Sequence, residues 1–336
     1  LDDIVIEIPK DKAHGDYATN IAMKSARVLK KSPRDIAASL IAHMSDEVIS
    51  HCELAGPGFI NFTMKQTALS NVIDKVLNAG DAYGKNDSGQ GMKINVEYVS
   101  ANPTGDLHLG HARGAAWGDS VTRMMKASGY EVCREYYVND AGNQIHALAL
   151  SLAARYAQIF NVDKEMPKDG YYGKDVIAIA KRIAEEKQDS LLNEPEDIAY
   201  AYFRKEGMKQ ELAKLQRDLD LFRVHFDVWS SEQQLHDSGQ VQRVLKQLGE
   251  LGVTYEQEDA LWFASSKYGD DKDRVLRKSD GSYTYLVPDI AYHITKFERG
   301  FDKLVNLWGA DHHGYIPRMK AAMSALGKDA DQLEVD

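Results

Sequence analysis

Apolar and polar positions along the first 90 residues predict a small α+β unit. The alternation at 3–8 predicts a strand, the segment 17–31 predicts a helix, and 52–64 predicts a strand interrupted by Gly56-Pro57-Gly58. Ser32, followed by a proline and then by an acid in the first turn, predicts the start of a second helix. A polar, glycine-rich stretch at 80–91 predicts a boundary, so we assign an N-terminal domain to 1–88.

A different pattern begins at residue 92. The β-rich run 93–99, a turn, a helix over 109–128 and a second strand over 131–138 form a βαβ unit, which implies a parallel sheet. Helices are then predicted to about residue 250, including one over 232–251. Strands follow at 253–264, in a hairpin of 274–278 with 282–286, and at 304–308. We therefore predict an α/β domain over 89–336, with a helical or mixed insertion at about 150–270.

Composition narrows the class of protein. The 336 residues are 43% hydrophobic and 27% charged, which excludes a disordered chain. No apolar run could span a membrane, no secretory signal is visible, and only Cys52 and Cys133 are present, so we expect a cytoplasmic protein. The formal net charge is −10, yet residues 10–34 hold seven basic side chains against two acidic ones. That stretch fits either a solvated helix face or a nucleic-acid contact.

The segment 100–111, SANPTGDLHLGH, carries the clearest chemistry. His108 and His111 lie at a predicted strand-to-helix junction, where unpaired N–H groups and the helix dipole favour phosphate. Their imidazoles can donate hydrogen bonds to phosphate oxygens, and Gly110 leaves room for a flat base. A zinc site would also use two histidines, but HEXXH is absent and no third ligand lies nearby, so we predict no metal site.

These residues resemble the HIGH signature of class I aminoacyl-tRNA synthetases. Together with the segments 129–145 (GYEVCREYYVNDAGNQI) and 308–322 (WGADHHGYIPRMKAA), they are similar to the bacterial arginyl-tRNA synthetase family. HGDYATNIAM and AGPGFINF resemble that family's N-terminal add-on domain. The resemblance implies a Rossmann-type, doubly wound catalytic domain with a connective insertion. It also implies ligation of L-arginine to tRNA(Arg) through an arginyl-adenylate, with ATP and Mg²⁺ as the substrate complex, by a monomer.

The resemblance also implies roles for individual residues. His108 and His111 are the catalytic pair that binds ATP phosphates. Tyr285 and Asp289 line the guanidinium pocket, where a carboxylate suits a planar fork of donors; the alternatives are a core aromatic and a surface carboxylate. The remaining ATP-binding residues are Thr104, Gly105, Gly110, Gly309 and Asp311. The remaining arginine-binding residues are Ser100, Ala101, Asn102, His111, Glu131, Asn139 and His312, with Asp140 as a further candidate.

The same resemblance assigns Phe59 and Asn61 to contact with the tRNA D-loop, where an exposed aromatic ring can stack on an unpaired base. A buried phenylalanine beside a Pro-Gly turn is the alternative for Phe59. The family's KMSKS-type loop and anticodon-binding domain have no counterpart in these residues, so we expect a fragment. A non-catalytic tRNA-binding paralogue and a simpler nucleotidyltransferase are the competing interpretations.

Overall fold

A computed structural model describes residues 4–44, 47–309 and 314–335. The chain divides into two compact units, Leu1–Lys85 and Asn86–Asp336. No helix in these described ranges is long and apolar enough to cross a membrane.

The first unit is an antiparallel sheet covered by helices. Its strands are β1 (Ile6–Glu7), β2 (Tyr17–Thr19), β3 (Ile49–Ala55) and β4 (Phe59–Met64), in the order β1-β2-β4-β3. The helices are α1 (Ile21–Leu29), α2 (Pro33–His43) and α3 (Gln66–Ala79). The core is small, because it consists of five buried residues from α1, α2 and β4: Ala22, Ile36, Ala37, Ile60 and Phe62.

Two predictions for this unit are confirmed because each rests on a specific local signal, a helix cap or a turn. The Ser32 hydroxyl accepts a hydrogen bond from the Asp35 amide at 3.1 Å, which confirms the predicted helix start. The Gly-Pro-Gly segment forms the turn of a hairpin between β3 and β4. The predicted helix over 17–31 was wrong at its beginning. Residues 17–19 form β2 instead, because they pair with β4 and bury Ala18 and Thr19 in the sheet.

The second unit is built on a five-stranded parallel sheet. Its strands are β5 (Lys93–Glu97), β6 (Glu131–Val138), β7 (Val228–Ser231), β11 (Lys303–Asn306) and β12 (Leu333–Val335), in the order β12-β11-β5-β6-β7. The chain moves outward from β5 to β7 and then returns to the other side of β5. The strand order therefore reverses between β5 and β11, and ligands bind at the carboxyl ends of the strands at such a point. The predicted doubly wound fold is confirmed.

Helix α4 (Leu109–Ala127) connects β5 to β6, as predicted. The next three helices, α5 (Asn143–Ile159), α6 (Lys174–Lys187) and α7 (Glu196–Leu221), pack together, and we call them the helical cluster. Strand β7 lies inside the predicted insertion, but it joins the main sheet beside β6. This pairing returns the chain to the carboxyl edge of the sheet immediately before residue 232.

The remaining elements correct two predictions. The helix predicted over 232–251 is split into α8 (Glu232–Asp237) and α9 (Gln240–Glu250), because Gly239 adopts a φ of 75° between them. Strands β8 (Thr254–Gln257), β9 (Ala260–Phe263) and β10 (Arg274–Arg277) form a small antiparallel sheet. The second hairpin strand is shorter than the predicted 282–286. Tyr283 bridges to Arg277 and the Thr284 amide donates to the Leu276 carbonyl at 2.9 Å, but Leu286 already begins α10 (Leu286–Glu298). Helix α11 (Ile316–Ala325) follows after β11.

Candidate active site

The backbone is strained at the carboxyl end of β5, the central strand. Val99 and Ser100 adopt φ values of 69° and 41°, and the Ser100 amide donates to the Tyr98 carbonyl at 3.0 Å across a three-residue turn. Residues other than glycine rarely occupy this region, and each costs about 1–3 kcal/mol there. Strain of this kind persists where surrounding contacts enforce it. Its position at the reversal of strand order makes this turn the first part of a candidate site.

Several hydrogen bonds hold the turn. The Ser100 hydroxyl donates to Glu97 Oε1 and accepts from the Tyr137 amide, both at 3.1 Å. The carbonyl of the buried Ala101 accepts from the Tyr136 hydroxyl at 2.8 Å. Asn102 is exposed, and its amide nitrogen donates to Gln144 Oε1 at 2.8 Å. The three residues predicted for the arginine α-amino and carboxylate groups therefore lie together at the switch point.

Two histidines begin helix α4 and cap it reciprocally. His108 Nδ1 accepts from the Gly110 amide at 3.1 Å, and the His108 amide donates to His111 Nδ1 at 3.3 Å. The two rings stack with their centroids 3.7 Å apart. Because each Nδ1 is an acceptor, each neutral imidazole carries its proton on Nε2, so both Nε2–H groups remain donors. Burial, and then the charge of His108, lowers the pKa of His111, which favours this neutral form.

Position 110, between the two histidines, has no room for a side chain because the His108 ring packs against it. A Cβ at Gly110 would lie 3.0 Å from His108 Cε1, closer than ordinary contact. In the loop before α4, the Thr104 amide donates to the Asn102 carbonyl at 2.8 Å, and Thr104 and Gly105 are half-buried. Gly309 follows β11 and is exposed. The predicted ATP residue Asp311 and the predicted arginine residue His312 lie outside the described residues.

The helical cluster contacts the loop before α4 through one lysine. Lys214 Nζ on α7 lies 2.5 Å from Asp106 Oδ1, 3.3 Å from Asp175 Oδ2 and 3.4 Å from Glu211 Oε2. Lys214 and Asp175 are largely buried and Glu211 is fully buried, whereas Asp106 is exposed. A single ammonium group therefore links α6, α7 and the loop that leads into the histidine pair.

Asp289 lies in the first turn of α10, and its carboxylate Oδ2 accepts a hydrogen bond from the Tyr315 hydroxyl. Burial raises the pKa of Asp289 to about 7; the hydrogen bond opposes this rise, and the charges of Glu232 and Glu97 add to it. Tyr285 lies one turn earlier and is 75% exposed. The predicted guanidinium pair therefore consists of a half-buried carboxylate and an aromatic ring that is open to solvent.

Glu232 is a site residue that sequence reasoning missed. It begins α8 at the carboxyl end of β7, it is buried, and burial, followed by the charge of Asp140, raises its pKa. With its amide oriented to satisfy its contacts, Asn139 donates to Glu232 Oε2 at 3.1 Å. Asp140 accepts from the Ser231 hydroxyl at 2.6 Å and from the Gln233 amide at 2.8 Å. An acid directly after a strand of the parallel sheet was the available signal, but β7 was not predicted.

Helix α10 presents charged and polar groups to the sheet; we call Asp289, His293, Lys296 and Arg299 the polar stripe. The fully buried Lys296 donates to Glu97 Oε2 at 2.6 Å and to Asn306 Oδ1 at 3.1 Å. Arg299 donates to Glu135 Oε2 at 2.5 Å. Glu97 and Glu135 thus each have a cationic partner within the fold.

Asp289 and Glu232 have no such partner. In the described ranges, no lysine or arginine lies within 4 Å of either carboxylate, and the nearest basic group is the His236 imidazole, 4.0 Å from Glu232 Oε1. Buried carboxylates without a counter-ion are costly, which is the reason for their raised pKa values. The arrangement is short of positive charge at this point, so a cationic ligand would complete it.

One residue predicted to bind arginine does not lie with these groups. Glu131 begins β6 at the amino edge of the sheet, paired in register with Lys93, whereas the site is at the carboxyl edge. Phe59 and Asn61 belong to the first unit, where Phe59 is half-buried and Asn61 is buried between Ala18 and Glu53. Among the residues with described positions, no three His, Cys, Asp or Glu side chains gather as a metal site.

A doubly wound sheet with a histidine pair at its first helix and ligand groups at its switch point is typical of class I aminoacyl-tRNA synthetases. Family profiles agree with this class and specify the amino acid. The profile described as "tRNA synthetases class I (R), catalytic domain" matches residues 72–336, and "Arginyl tRNA synthetase N terminal domain" matches residues 1–64. The chain belongs to the arginyl-tRNA synthetase family.

Individual relatives support the same assignment. The chain is 57% identical to an arginine--tRNA ligase of Bacillus cereus over all of its own length and 61% of that relative. It is 40% identical to a solved arginyl-tRNA synthetase structure from Campylobacter jejuni, with a TM-score of 0.74 over 81% of this chain and 59% of that one. A Thermus thermophilus arginyl-tRNA synthetase, at 19% identity and a TM-score of 0.62, covers 99% of this chain and 61% of its own and is similar in fold alone.

Proposed function

We propose that this chain activates L-arginine with ATP and transfers the arginyl group to tRNA(Arg). The Bacillus cereus relative described above is an arginine--tRNA ligase by name, and this chain spans 61% of its length. The observation that carries the proposal is the pair of carboxylates formed by the half-buried Asp289 and the buried Glu232, which have no lysine or arginine partner within the described residues.

A guanidinium group suits this pair better than an ammonium group does. Guanidinium is planar, remains charged at neutral pH and presents five N–H donors, whereas lysine offers a compact point charge. Two carboxylates in different directions can each accept from a separate edge of the fork. A hydrogen bond to a charged group contributes roughly 1.5–3 kcal/mol, so loss of one edge would lower affinity by more than tenfold. The exposed Tyr285 ring would then cover the bound side chain.

The ATP phosphates would bind at the start of α4. The Nε2–H groups of His108 and His111 are the donors that the capping hydrogen bonds leave available, and the amino end of the helix adds a favourable dipole. Thr104, Gly105, Gly110 and Gly309 would border the nucleotide, and Asp311 remains our assignment for the ribose. Mg²⁺ enters this scheme as part of the ATP substrate complex.

The proposed reaction needs no covalent enzyme intermediate. A carboxylate oxygen of arginine, oriented by Ser100, Ala101 and Asn102, attacks the α-phosphorus of ATP. The bond from that phosphorus to the bridging oxygen breaks, and pyrophosphate leaves with the electron pair. His108 and His111 would stabilise the negative charge that develops on the phosphate oxygens, so positioning and electrostatics supply the rate enhancement.

For the first unit we propose contact with tRNA through Phe59 and Asn61, supported by its match to the family's N-terminal domain. Asn61 is buried, so its contribution would be to hold the strand that carries the half-buried Phe59. The basic side chains of residues 10–34 would attract the phosphate backbone. We also propose that the protein acts as a monomer in the cytoplasm.

Calorimetric titration with a non-hydrolysable arginyl-adenylate analogue tests the arginine assignment, with lysyl and glutaminyl analogues as controls. We expect tight binding of the arginyl compound alone and a loss of more than tenfold on Asp289→Ala. Equal binding of all three compounds would reject arginine as the substrate. Arginine-dependent ATP–pyrophosphate exchange separates the enzyme from a non-catalytic tRNA-binding paralogue, which would bind ligands without exchange.

A further inference from the structure

Tyr315 links the two helices that flank β11 at the candidate site. It lies immediately before α11, and its hydroxyl donates to Asp289 Oδ2 in the first turn of α10. Burial, and then the charge of Asp289, raises the pKa of Tyr315 well above its ordinary value. The raised pKa favours the protonated phenol, which donates to this carboxylate.

The tyrosine ring is itself held on both sides. The edge of the Trp308 ring packs against it with the centroids 5.7 Å apart, and the Arg318 guanidinium lies 4.8 Å from the ring centroid. Trp308 also contacts His293, whose Nδ1 donates to the Asp289 carbonyl at 2.8 Å. Contacts from Trp308, two residues after β11, and from Arg318 of α11 thus restrict the direction from which the hydroxyl approaches.

A carboxylate has two oxygens, and this hydrogen bond distinguishes them. Tyr315 uses Oδ2, and within the described part of the chain Oδ1 accepts no hydrogen bond. A hydrogen bond to one oxygen restricts rotation of the carboxylate and leaves the other oxygen available to a ligand. Accepting from Tyr315 also favours the ionised form of Asp289, because a hydrogen bond to a charged acceptor stabilises the charge.

We propose that Tyr315 is a positioning residue for arginine recognition, which holds Asp289 oriented and ionised so that its free oxygen accepts from the guanidinium group. This inference rests on the proposed function and deepens it. Tyr315 itself would not touch the substrate. Loss of the Tyr315 hydroxyl should shift the pH dependence of arginine affinity, whereas loss of a residue that only packs in the core should not.

The pH dependence follows from the groups around Asp289. Glu232 of α8 and Glu97 of β5 oppose its ionisation, Lys296 of α10 and Tyr315 favour it, and the neutral phenol of Tyr137 on β6 faces the same region. Arginine needs the carboxylate form, so its affinity should rise tenfold per pH unit below the pKa of Asp289 and level off above it. Removal of the Tyr315 hydroxyl raises that pKa, so the midpoint must move upward.

The experiment is calorimetric titration of the chain with L-arginine from pH 5.5 to 9, with Tyr315→Phe beside the unsubstituted protein. We expect the midpoint to lie near pH 7 in the unsubstituted protein and to rise by about one to two pH units in Tyr315→Phe. Tyr156→Phe is the matched control. Tyr156 is also buried and donates to the Gln188 carbonyl in the helical cluster, so its loss should leave the midpoint unchanged.

A second variant tests the same role even if Tyr315→Phe fails to fold. Replacement of Tyr315 by 3-fluorotyrosine keeps the ring and strengthens the donor, so the midpoint should move downward. An unchanged midpoint in Tyr315→Phe, or a loss of affinity that is equal at every pH, would overturn the positioning role. If the unsubstituted chain does not prefer arginine over lysine at pH 9, the proposed function itself fails, and that result is separate from any shift in midpoint.

Discussion

The helical cluster and the polar stripe of α10 both lie in the second unit, but different chemistry holds them. Helices α5 and α6 meet through apolar side chains at helical spacing, such as Leu148, Leu152 and Ile179, and Gly207 lets α7 approach Leu152 closely. Helix α10 also has an apolar face in the core, but in addition it contacts the sheet through Lys296 and Arg299, which bind carboxylates.

The two kinds of packing serve different purposes. Apolar contacts stabilise in proportion to buried area, but they fix direction only through shape. Buried ion pairs lose hydration, and this loss offsets most of their attraction, so they contribute little net stability while they are intact. Their hydrogen bonds do set the direction of each carboxylate, including Glu97, which holds the strained turn at Ser100. The polar stripe therefore adds little to the free energy of unfolding but orients the carboxylates at the candidate site.

Removal of the buried cation should give the largest effect. Lys296→Met leaves Glu97 and Asn306 without their donor in the core, and breaking a buried pair costs about 3–5 kcal/mol. We expect this loss in the midpoint of urea unfolding, together with weaker arginine binding. The double variant Lys296→Met/Glu97→Gln should recover part of the stability. A single-variant loss below about 1 kcal/mol would show that water reaches this pair.

A cavity in the helical cluster should cost nearly as much stability but leave recognition intact. Leu152 is fully buried, and Leu152→Ala should lower the free energy of unfolding by about 3 kcal/mol. The arginyl-adenylate analogue should bind with unchanged affinity below the unfolding transition, because no contact of the site is lost. Reduced preference for the arginyl over the lysyl analogue would mean that the two regions are coupled more closely than their packing indicates.

Asp289 should make stability depend on pH, a property that the apolar cluster lacks. Its folded pKa of about 7 lies above the ordinary 3.8, so between these values the folded state binds a proton that the unfolded state has released. The free energy of unfolding should therefore fall as the pH rises from about 4 to 7, by up to about 1.4 kcal/mol per pH unit from this group. Urea unfolding of Asp289→Asn at pH 5, 6 and 7 should lack this contribution; profiles parallel to the unsubstituted protein would contradict it.

The smallest effect is expected where the cluster meets the loop before α4. Lys214→Met removes an ammonium group from three carboxylates, but Asp106 is exposed and Glu211 can take up a proton. We expect a loss of about 1 kcal/mol in unfolding free energy. Lys214→Arg is the matched control and should retain most of the stability. A loss of unfolding free energy as large as that of Lys296→Met would show that Lys214 and its carboxylates behave as a buried ion pair.

Much of the fold was predictable because local chemistry specified it. A serine followed by proline and then by an acid is a local signal for a helix start, and Ser32 fits it. The βαβ unit around α4 follows from the succession of strand, helix and strand patterns in the apolar positions. The errors fall where tertiary contacts override local preference. Residues 17–19 form a strand because they pair with β4. Residue 286 begins a helix because the apolar face of α10 is buried.

The sequence by itself determined the class of fold and the position of the histidine pair at the start of α4, because both rest on residues that are close in the chain. The choice of Asp289 as a specificity residue came from the family resemblance and stays a proposal. Only the tertiary structure added Glu232 and Tyr315 to Asp289 and set Glu131 apart from them. The physical reason is that charge balance and hydrogen-bond direction depend on which groups share a low-dielectric interior. Here that neighbourhood is created by groups from separate elements, with Tyr315 lying 26 residues after Asp289 and Glu232 lying well before it in the chain.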